Sequence, residues 1–481
     1  MMNTNLGRTH TKISAIGLLL LTNGLVQAQD QSADYTEPYQ QHALQIFRTS
    51  IAYRTTASHG EVPALANYLA DQFRAGGFAD EDIHVLPLTL PDGAETAALV
   101  VRYRGDGSSG RKPILLLAHM DVVEAIAQDW QSDPFTLIEE DGYFFGRGTY
   151  DDKFGTTTLT ATFLRLKAEG FQPTRDLIIA FDGDEETQFT TARTLVTTYR
   201  DLTDAEFALN ADTGGGVLDE YGNPIFYRIQ TTEKTYATFE LTTRDPGGHS
   251  ARPGDDNAIY ELAHALQKIE AFRFPVRSNE VTLRYFELTA NVRSGELSEA
   301  MRHFAANPND EKAADILHRY PFENSFARTT CVATMIRGGH AENALPRSAT
   351  ATVNCRIFPG VAVTEVQATL ERIVENDQLQ VQVLGDPEES LTSPLREDVI
   401  AAVTKAVHAR FPNLPIVPFM TAGGTVGQPV RAAGIPTYGI MGLFMRDEDD
   451  FSHGLNERVP VRSFYGALEF WHLLLIELAG Q

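Results

Sequence analysis

Histidine and acidic side chains follow directly after several short apolar runs of this sequence. The first run, 114–118, leads into His119 and Asp121, and Asp151 lies in a glycine-bounded loop farther along. Side chains alternate along a strand, so an imidazole and a carboxylate two residues apart point the same way. Both groups are ligands for divalent metal ions, and imidazole favours zinc. This stretch therefore predicts half of a metal site.

Later parts of the chain supply the other half of the predicted site. Glu185 and Glu186 follow a second apolar run, and Asp212 follows a third. His453 lies in a loop near the C-terminus. Adjacent carboxylates beside a buried strand are costly to leave unpaired, and a bound cation removes that cost. The set suits two adjacent divalent ions, with two zinc ions favoured and cobalt or manganese as alternative metals.

The elements that must carry these residues alternate between strand and helix. Apolar runs of strand length separated by amphipathic helical stretches predict an α/β fold with a mostly parallel sheet. After the third run the order becomes β-α-β-β-α-β, the split βαβ or ferredoxin-like arrangement of an α+β domain, interrupted by a polar, partly helical insertion. The 481-residue chain is thus predicted to contain a catalytic domain in two parts, 35–235 and 389–481, and an inserted domain, 236–388.

The N-terminus and the net charge limit where the protein acts and on what. Residues 1–28 have the pattern of a secretory signal peptide, with Arg8 and Lys12 before an apolar run and a cleavage site after Ala28. A buried helix or a membrane anchor fits less well, because the run is too short to span a bilayer. We expect an exported protein, periplasmic or secreted, that is free of the membrane after cleavage. A formal charge of −24 argues against nucleic acid as a partner.

Two cysteines, Cys331 and Cys355, lie in β-rich runs on either side of a turn-like segment. If the runs pair as a hairpin centred near Asn343, the two cysteines face each other, and an oxidising compartment permits a disulfide. Two buried free thiols that act as small hydrophobic side chains are an equally good interpretation. The sequence leaves both open.

Six motifs carry a resemblance to a known family. The chain resembles the co-catalytic zinc peptidases, which include aminoacylase, glutamate carboxypeptidase, succinyl-diaminopimelate desuccinylase, acetylornithine deacetylase, carnosinase and carboxypeptidase S. The match runs from about residue 40 to the C-terminus in the family's order and spacing. The motifs are AHMDVV, GRGTYDDK, DGDEET, GGHSARPGDDNAI, GGHAENALPRSATATVNCRIFPG and SHGLNERV.

The resemblance implies a role for each matching residue of the metal site. His119 and Asp212 would bind one zinc ion, His453 and Glu186 would bind the other, and Asp151 would bridge both. The peptide bond that follows Asp151 is expected to be cis.

The resemblance also implies catalytic and substrate-binding residues around the metals. Asp121 would orient His119, and Glu185 would be the general base. In the inserted domain, His249 would reach the active site of the partner subunit, Arg356 would bind a substrate carboxylate, and Asn343 would contact substrate. These roles imply a homodimer formed through the inserted domain, which would close over the site as a lid.

The sequence departs from the family pattern in two places. The fourth metal position usually lies in a Glu-Pro or Asp-Glu-Gly string, whereas here Asp212 is the only carboxylate in the segment 210–216. The loop usually written Gly-Gly-Thr-Asp-x-Arg is Gly-Gly-Thr-Val-Gly-Gln at 423–428, without the Asp or the Arg. That loop borders the substrate pocket, so the departure bears on substrate choice.

Together the motifs predict a zinc-dependent metallopeptidase that hydrolyses the amide bond next to a free carboxylate, as a dipeptidase or a carboxypeptidase. The alternative is an N-acyl amino acid amidohydrolase, and a more remote one is a non-catalytic peptide-binding relative. The expected partner is therefore a small peptide or an N-acyl amino acid. A two-metal phosphoesterase fits the motifs less well.

Overall fold

The structure is a computed structural model that describes residues 35–480. The predicted signal peptide, 1–28, lies outside the described residues. No helix within 35–480 is long and apolar enough to cross a membrane.

The described chain alternates between helices and strands along most of its length. The helices are α1 (Pro38–Ala52), α2 (Val62–Ala75), α3 (Lys153–Ala168), α4 (Thr190–Thr197), α5 (Arg200–Thr203), α6 (Ala258–Ala271), α7 (Glu280–Thr289), α8 (Gly295–Ala306), α9 (Glu311–His318), α10 (Pro321–Ala327), α11 (Val363–Val374), α12 (Glu397–His408), α13 (Gly427–Ala432) and α14 (Val461–Ala479). The strands are β1 (Ile83–Thr89), β2 (Glu95–Tyr103), β3 (Ile114–His119), β4 (Ile138–Glu140), β5 (Tyr143–Phe145), β6 (Leu177–Asp182), β7 (Phe207–Asn210), β8 (Gly215–Leu218), β9 (Pro224–Glu233), β10 (Thr235–Arg244), β11 (Gly248–His249), β12 (Thr330–Gly338), β13 (Ala344–Leu345), β14 (Ser348–Ile357), β15 (Gln380–Leu384), β16 (Ile416–Thr421), β17 (Thr437–Gly439), β18 (Phe444–Met445) and β19 (Arg458–Pro460).

The larger sheet has the strand order β1-β2-β6-β3-β7-β17-β9-β8-β18, and β16 also pairs with β9. Its centre, from β6 to β17, is parallel, whereas the pairs β1–β2, β2–β6 and β8–β9 are antiparallel. The prediction of an α/β fold with a mostly parallel sheet is therefore confirmed.

Burial of β3 on both faces explains why its sequence is continuously apolar. Ile114 and Leu116 belong to one hydrophobic cluster, whereas Leu115 and Leu117, which point the opposite way, belong to another. Helices pack on both sides of a parallel sheet, so neither face of its central strands meets water. The polar residue that ends the strand, His119, therefore marks the end of the apolar run.

The second sheet has the order β12-β14-β10-β15, and all its pairs are antiparallel. Strand β14 lies between β10 and β12, which is the split βαβ arrangement expected for the inserted part. The polar insertion forms the four helices α7 to α10. Both sheets lie in one compact unit, Glu37–Gln481, and the boundaries 35–235, 236–388 and 389–481 stay predictions.

A disulfide joins Cys331 and Cys355, which are direct partners in the pairing of β12 with β14. The alternative of two buried free thiols is wrong. The next pair in the same register is Thr330 with Arg356, so the cross-link fixes the edge strand beside the predicted carboxylate-binding arginine. A cross-link of this kind limits the freedom of the unfolded chain.

Candidate metal centre and active site

The predicted metal residues lie at the carboxyl edge of the larger sheet. Strand β3 ends at His119, its parallel neighbour β6 ends at Asp182, and β7 ends at Asn210. His119 and Asp182 are partners in the strand register, so the segments that follow both strands emerge at the same edge. Open α/β sheets bind their ligands at this edge.

The first group of ligand atoms forms around His119, which is fully buried. Its Nδ1 donates to the backbone oxygen of Asp121 at 3.0 Å, and this fixes the tautomer that presents Nε2 to the cluster. Nε2 lies 2.9 Å from Asp151 Oδ1 and 3.6 Å from Asp212 Oδ1. The ligand atoms of these three residues all lie within 4.8 Å of one another.

A second group of ligand atoms forms around His453. Its Nε2 lies 3.2 Å from Asp151 Oδ2 and 2.9 Å from Glu186 Oε2. The two oxygens of Asp151 therefore face different groups, one with His119 and the other with His453. This is the geometry that a carboxylate needs to bridge two adjacent ions.

The Asp121 carboxylate contacts both the turn that carries Glu185 and Glu186 and the ring of His119. Its carboxylate accepts hydrogen bonds from the backbone amides of Glu185 at 3.2 Å and Glu186 at 3.0 Å. One of its oxygens also lies 3.5 Å from Nδ1 of His119. Asp121 thus positions three residues of the centre at once.

The bridging loop is held by a residue that the sequence analysis did not single out. Glu457 is fully buried, and its carboxylate accepts from the backbone amides of Gly148, Tyr150 and Asp151 at 2.7–3.0 Å. It also forms a 2.6 Å ion pair with Arg147. The available signal was its place in SHGLNERV, the motif that carries His453.

Asp152, which follows the proposed bridging ligand Asp151, connects α3 with β3. The Asp151–Asp152 peptide is cis, as the resemblance implies. Asp152 caps α3 by accepting from the backbone amide of Gly155 at 2.9 Å, and it accepts from the backbone amide of His119 at 3.3 Å. The start of α3 and the end of β3 are thereby tied to the same carboxylate.

Burial dominates the electrostatics of the acidic residues. It raises the pKa of Glu185 well above the usual value, and it raises the pKa of Glu186 to about 7 with help from the charge of Asp151. Burial also raises the pKa of Asp212. For Asp151 the hydrogen bonds from the two histidines outweigh burial and hold the pKa below the usual value.

The pKa values of both histidines are also raised, which for an imidazole favours the charged form. Hydrogen bonds to Asp151 and Glu186 raise the pKa of His453 to about 10. Burial acts to lower the pKa of His119, but its carboxylate partners outweigh that effect and raise the pKa well above the usual value. The carboxylates of this centre therefore strongly stabilise positive charge beside them.

The donor set fits divalent cations. Within residues 35–480, none of the carboxylates Asp151, Glu185, Glu186 and Asp212 has a lysine or arginine within ion-pair distance. Oε1 of Glu186 is buried and has no hydrogen-bond partner. A buried carboxylate oxygen without a partner is costly, and a metal ion would satisfy it.

A cavity of about 390 Å³ leads from this cluster to the second sheet. Glu185, Glu186 and His453 line it on one side, and Tyr236 and Arg356 line it on the other. The Arg356 guanidinium lies 4.6 Å from the centre of the Tyr236 ring and donates to the backbone oxygen of Ala422 at 3.1 Å. It has no ion-pair partner within residues 35–480, and burial lowers its pKa.

The remaining predicted residues, His249 and Asn343, do not border this cavity. His249 lies in β11, is exposed, and pairs in register with Ala344 of β13. Its Nδ1 accepts from the backbone amide of Ala251 at 3.0 Å, and the backbone oxygen of Asn343 accepts from Ser250 at 3.1 Å. The structure of one subunit therefore leaves both residues outside the metal centre.

Comparison with known proteins places the chain in a family. Human N-fatty-acyl-amino acid synthase/hydrolase PM20D1 is 28% identical over 370 residues, which cover 75% of this chain and 72% of the human protein. A probable carboxypeptidase S-like 2 of Dictyostelium discoideum is 25% identical over 389 residues, covering 79% and 74% of the two chains. The crystal structure of the M20 family metallo-carboxypeptidase Sso-CP2 from Sulfolobus solfataricus superimposes with a TM-score of 0.69 at 17% identity, covering 91% of this chain and 98% of that chain.

The family model for Peptidase family M20/M25/M40 matches residues 115–477, which include every predicted metal ligand. The chain therefore belongs to peptidase family M20/M25/M40 and is a hydrolytic enzyme.

Proposed function

We propose that this enzyme hydrolyses the amide bond next to a free carboxylate in small peptides, as a dipeptidase or carboxypeptidase. The observation that carries the proposal is the position of Arg356, which lines the same cavity as Glu185 and Glu186. A planar guanidinium matches a carboxylate with two parallel hydrogen bonds. A substrate carboxylate bound there would lie beside the metal cluster, with its neighbouring amide bond between the two.

We propose that two zinc ions occupy the centre. His119, Asp212 and Asp151 would hold one ion, and His453, Glu186 and Asp151 would hold the other. The presence of an imidazole in each group favours zinc over magnesium or calcium. When bound, the ions would supply Lewis-acid activation of water and of the amide carbonyl.

Glu185 would be the general base. Its carboxylate would take a proton from the attacking water and return it to the nitrogen of the leaving amine. The hydrogen bond from its backbone amide to Asp121 would fix its position during the transfer.

We propose that the enzyme is a homodimer formed through the second sheet. Strand β12 is an edge strand, and Val332, Met335 and Ile336 on it are 61%, 64% and 66% exposed. An exposed apolar edge strand favours pairing with another strand. A second copy is the partner that would also bring His249 of the partner subunit to this metal centre.

A second candidate function is hydrolysis of N-acyl amino acids. A cavity of about 310 Å³ borders Glu186 and Thr187, which also line the larger cavity. Aliphatic side chains, among them Val62, Leu90 and Val122, form much of its wall, so it would accept an apolar acyl group. The similarity to proteins named N-fatty-acyl-amino acid synthase/hydrolase favours the same substrate class.

We also propose that the enzyme is exported. The signal-peptide pattern at 1–28 supports this, and a disulfide suits an oxidising compartment. N-terminal sequencing of the mature protein would detect a chain that begins at Gln29, and a mature chain that keeps Met1 would contradict export by this route.

Metal analysis of purified variants tests the two-ion centre. Asp151 belongs to both groups, so Asp151→Ala should lose both zinc ions, whereas Asp212→Ala should keep one. Elemental analysis after removal of free metal measures the content. Glu448→Ala, an exposed acid near His453, serves as the control and should keep the full content. Equal metal content in Asp151→Ala and Asp212→Ala would contradict the bridging role.

The proposed role of Arg356 in binding the substrate carboxylate is tested by the variant Arg356→Met. Its activity is assayed on dipeptides, N-acetyl amino acids and the matching C-terminal amides. Loss of a charged hydrogen-bonded contact should lower kcat/KM for free carboxylates by about 10- to 100-fold. The amides should be poor substrates for both proteins. Arg193→Met is the matched control, because Arg193 lines the same cavity but is paired with Glu388 at 3.4 Å. Wild-type inactivity on every substrate class would overturn the proposed function.

Replacement of the proposed base separates catalysis from metal binding. Glu185→Gln should lower kcat by about 10²- to 10⁴-fold, because the amide cannot accept the proton of the attacking water. Its zinc content should stay at the wild-type value. Steady-state kinetics and elemental analysis on one preparation give both results, and turnover that survives the change would exclude Glu185 as the base.

Subunit mixing tests whether His249 acts across the dimer. Glu185→Gln and His249→Ala homodimers should each be nearly inactive, whereas the mixture should regain activity after subunit exchange. In the heterodimer, the site that keeps Glu185 receives His249 from the partner subunit. Met335→Glu on the edge strand should abolish both the dimer and the regain, as sedimentation and kinetics would detect. A mixture that stays inactive despite verified exchange would rule out the shared site.

A further inference from the structure

A further cavity, of about 370 Å³, borders the loops that carry the proposed metal ligands. Tyr150, which precedes Asp151, and Gly214, which follows Asp212, form part of its wall. Asp450, three residues before His453, forms another part. Arg293, Phe322 and Glu323 of the helical insertion also line the cavity, so three metal-ligand loops and the insertion border the same polar cavity.

Arg293 is a cation in this wall without an anion of its own. It lies between α7 and α8 in the insertion, and no carboxylate within residues 35–480 reaches ion-pair distance of its guanidinium. Its Nε is buried and has no hydrogen-bond partner. A partly buried guanidinium with unsatisfied donors is costly unless a ligand supplies the acceptors.

Arg228, on β9, is a second cation in the same wall and is only weakly paired. Its Nη2 lies 3.4 Å from Oδ1 of Asp447, a carboxylate that is half exposed. The guanidinium packs over the ring of Phe419 at 5.0 Å, and its Nε also lacks a hydrogen-bond partner. Part of its donor capacity therefore remains free.

Tyr150 adds a neutral donor. Its side chain borders the cavity, and its hydroxyl makes no hydrogen bond with any residue of 35–480. A hydroxyl that shares this cavity with two guanidinium groups adds a donor suited to an oxyanion.

Two charged groups that remain in the wall, Asp450 and Arg446, have other partners. Asp450 accepts from the backbone amide and the hydroxyl of Ser452 at 3.1 and 2.6 Å. Arg446 donates to Asp449 and to the hydroxyl of Tyr143. Glu323 lies beyond ion-pair distance of Arg293, although the charge of Arg293 acts on its carboxyl group. The Nε donors of Arg228 and Arg293 therefore remain without an acceptor.

We propose that this cavity binds a small oxyanion of the carboxylate, phosphate or sulfate type, held by Arg228, Arg293 and the hydroxyl of Tyr150. The anion has two possible sources. It is either a free anion that acts on the enzyme through the metal-ligand loops, or a second carboxylate on the acyl part of the substrate. The substrate source rests on the proposed amide hydrolysis, whereas binding of a free anion does not.

Calorimetric titration of sulfate into the zinc-loaded enzyme tests the site without an activity readout. Arg293→Met should weaken sulfate binding by about tenfold or more, and Tyr150→Phe should weaken it by about three- to tenfold. Arg284→Met is the matched control, because Arg284 is on α7 but pairs with Glu287 at 2.6 Å on the surface. Sulfate that binds the metals instead is insensitive to Arg293, so equal affinity in wild type and Arg293→Met overturns the proposal.

Kinetics with N-succinyl and N-butyryl derivatives of one amino acid separate the two sources. If the anion belongs to the substrate, Arg293→Met lowers kcat/KM for the succinyl compound about tenfold and leaves the butyryl compound unchanged. If the anion is free, sulfate changes the rate for both compounds in wild type and for neither in Arg293→Met. Sulfate binding that depends on Arg293 in an enzyme inactive on all amides would support this site while overturning the proposed function.

Discussion

The cost of burying several carboxylates together at one sheet edge is the constraint on which the rest of this structure depends. Asp151 lies close to Asp212 on one side and to Glu186 on the other, and the cationic groups within ion-pair distance of these acids in residues 35–480 are two histidines. Such a cluster is unstable on its own, because each charge loses water and repels the next. Divalent ions would turn the repulsion into attraction, so the arrangement that is worst for stability is the one best suited to binding metal.

Holding that cluster open requires a support of backbone hydrogen bonds. Asp121 accepts from the amides of the acidic turn, Glu457 accepts from three amides of the bridging loop, and Asp152 ties α3 to β3. The supporting carboxylates accept hydrogen bonds from backbone amides, whereas the oxygens of the proposed ligands remain available to a cation. The supporting acids thus contact backbone amides, whereas the proposed ligand acids face the metal centre.

The sequence was sufficient to predict the sheet and the sheet edge at which the proposed metal ligands meet, because both follow from local patterns. Apolar runs such as 114–118 must be strands buried on two faces, and parallel strands bring their following residues to one edge. The role of Glu457 was not predictable in this way, because it depends on three amides of a loop some three hundred residues earlier in the chain. The pairing of Cys331 with Cys355 was also open, since only the strand register decides it.

The altered loop at 423–428 leaves the proposed binding of a substrate carboxylate to one arginine side chain. Gln428 stands where the related loop has an arginine, and its amide donates to the backbone oxygen of Glu388 at 2.5 Å. Arg431, three residues on, is fully buried and paired with Glu233, so it is not available to a substrate. Arg193 also lines the cavity but is held by Glu388. Among the described residues that line this cavity, Arg356 is therefore the arginine without a carboxylate partner, and the proposed recognition of a substrate carboxylate would depend on it.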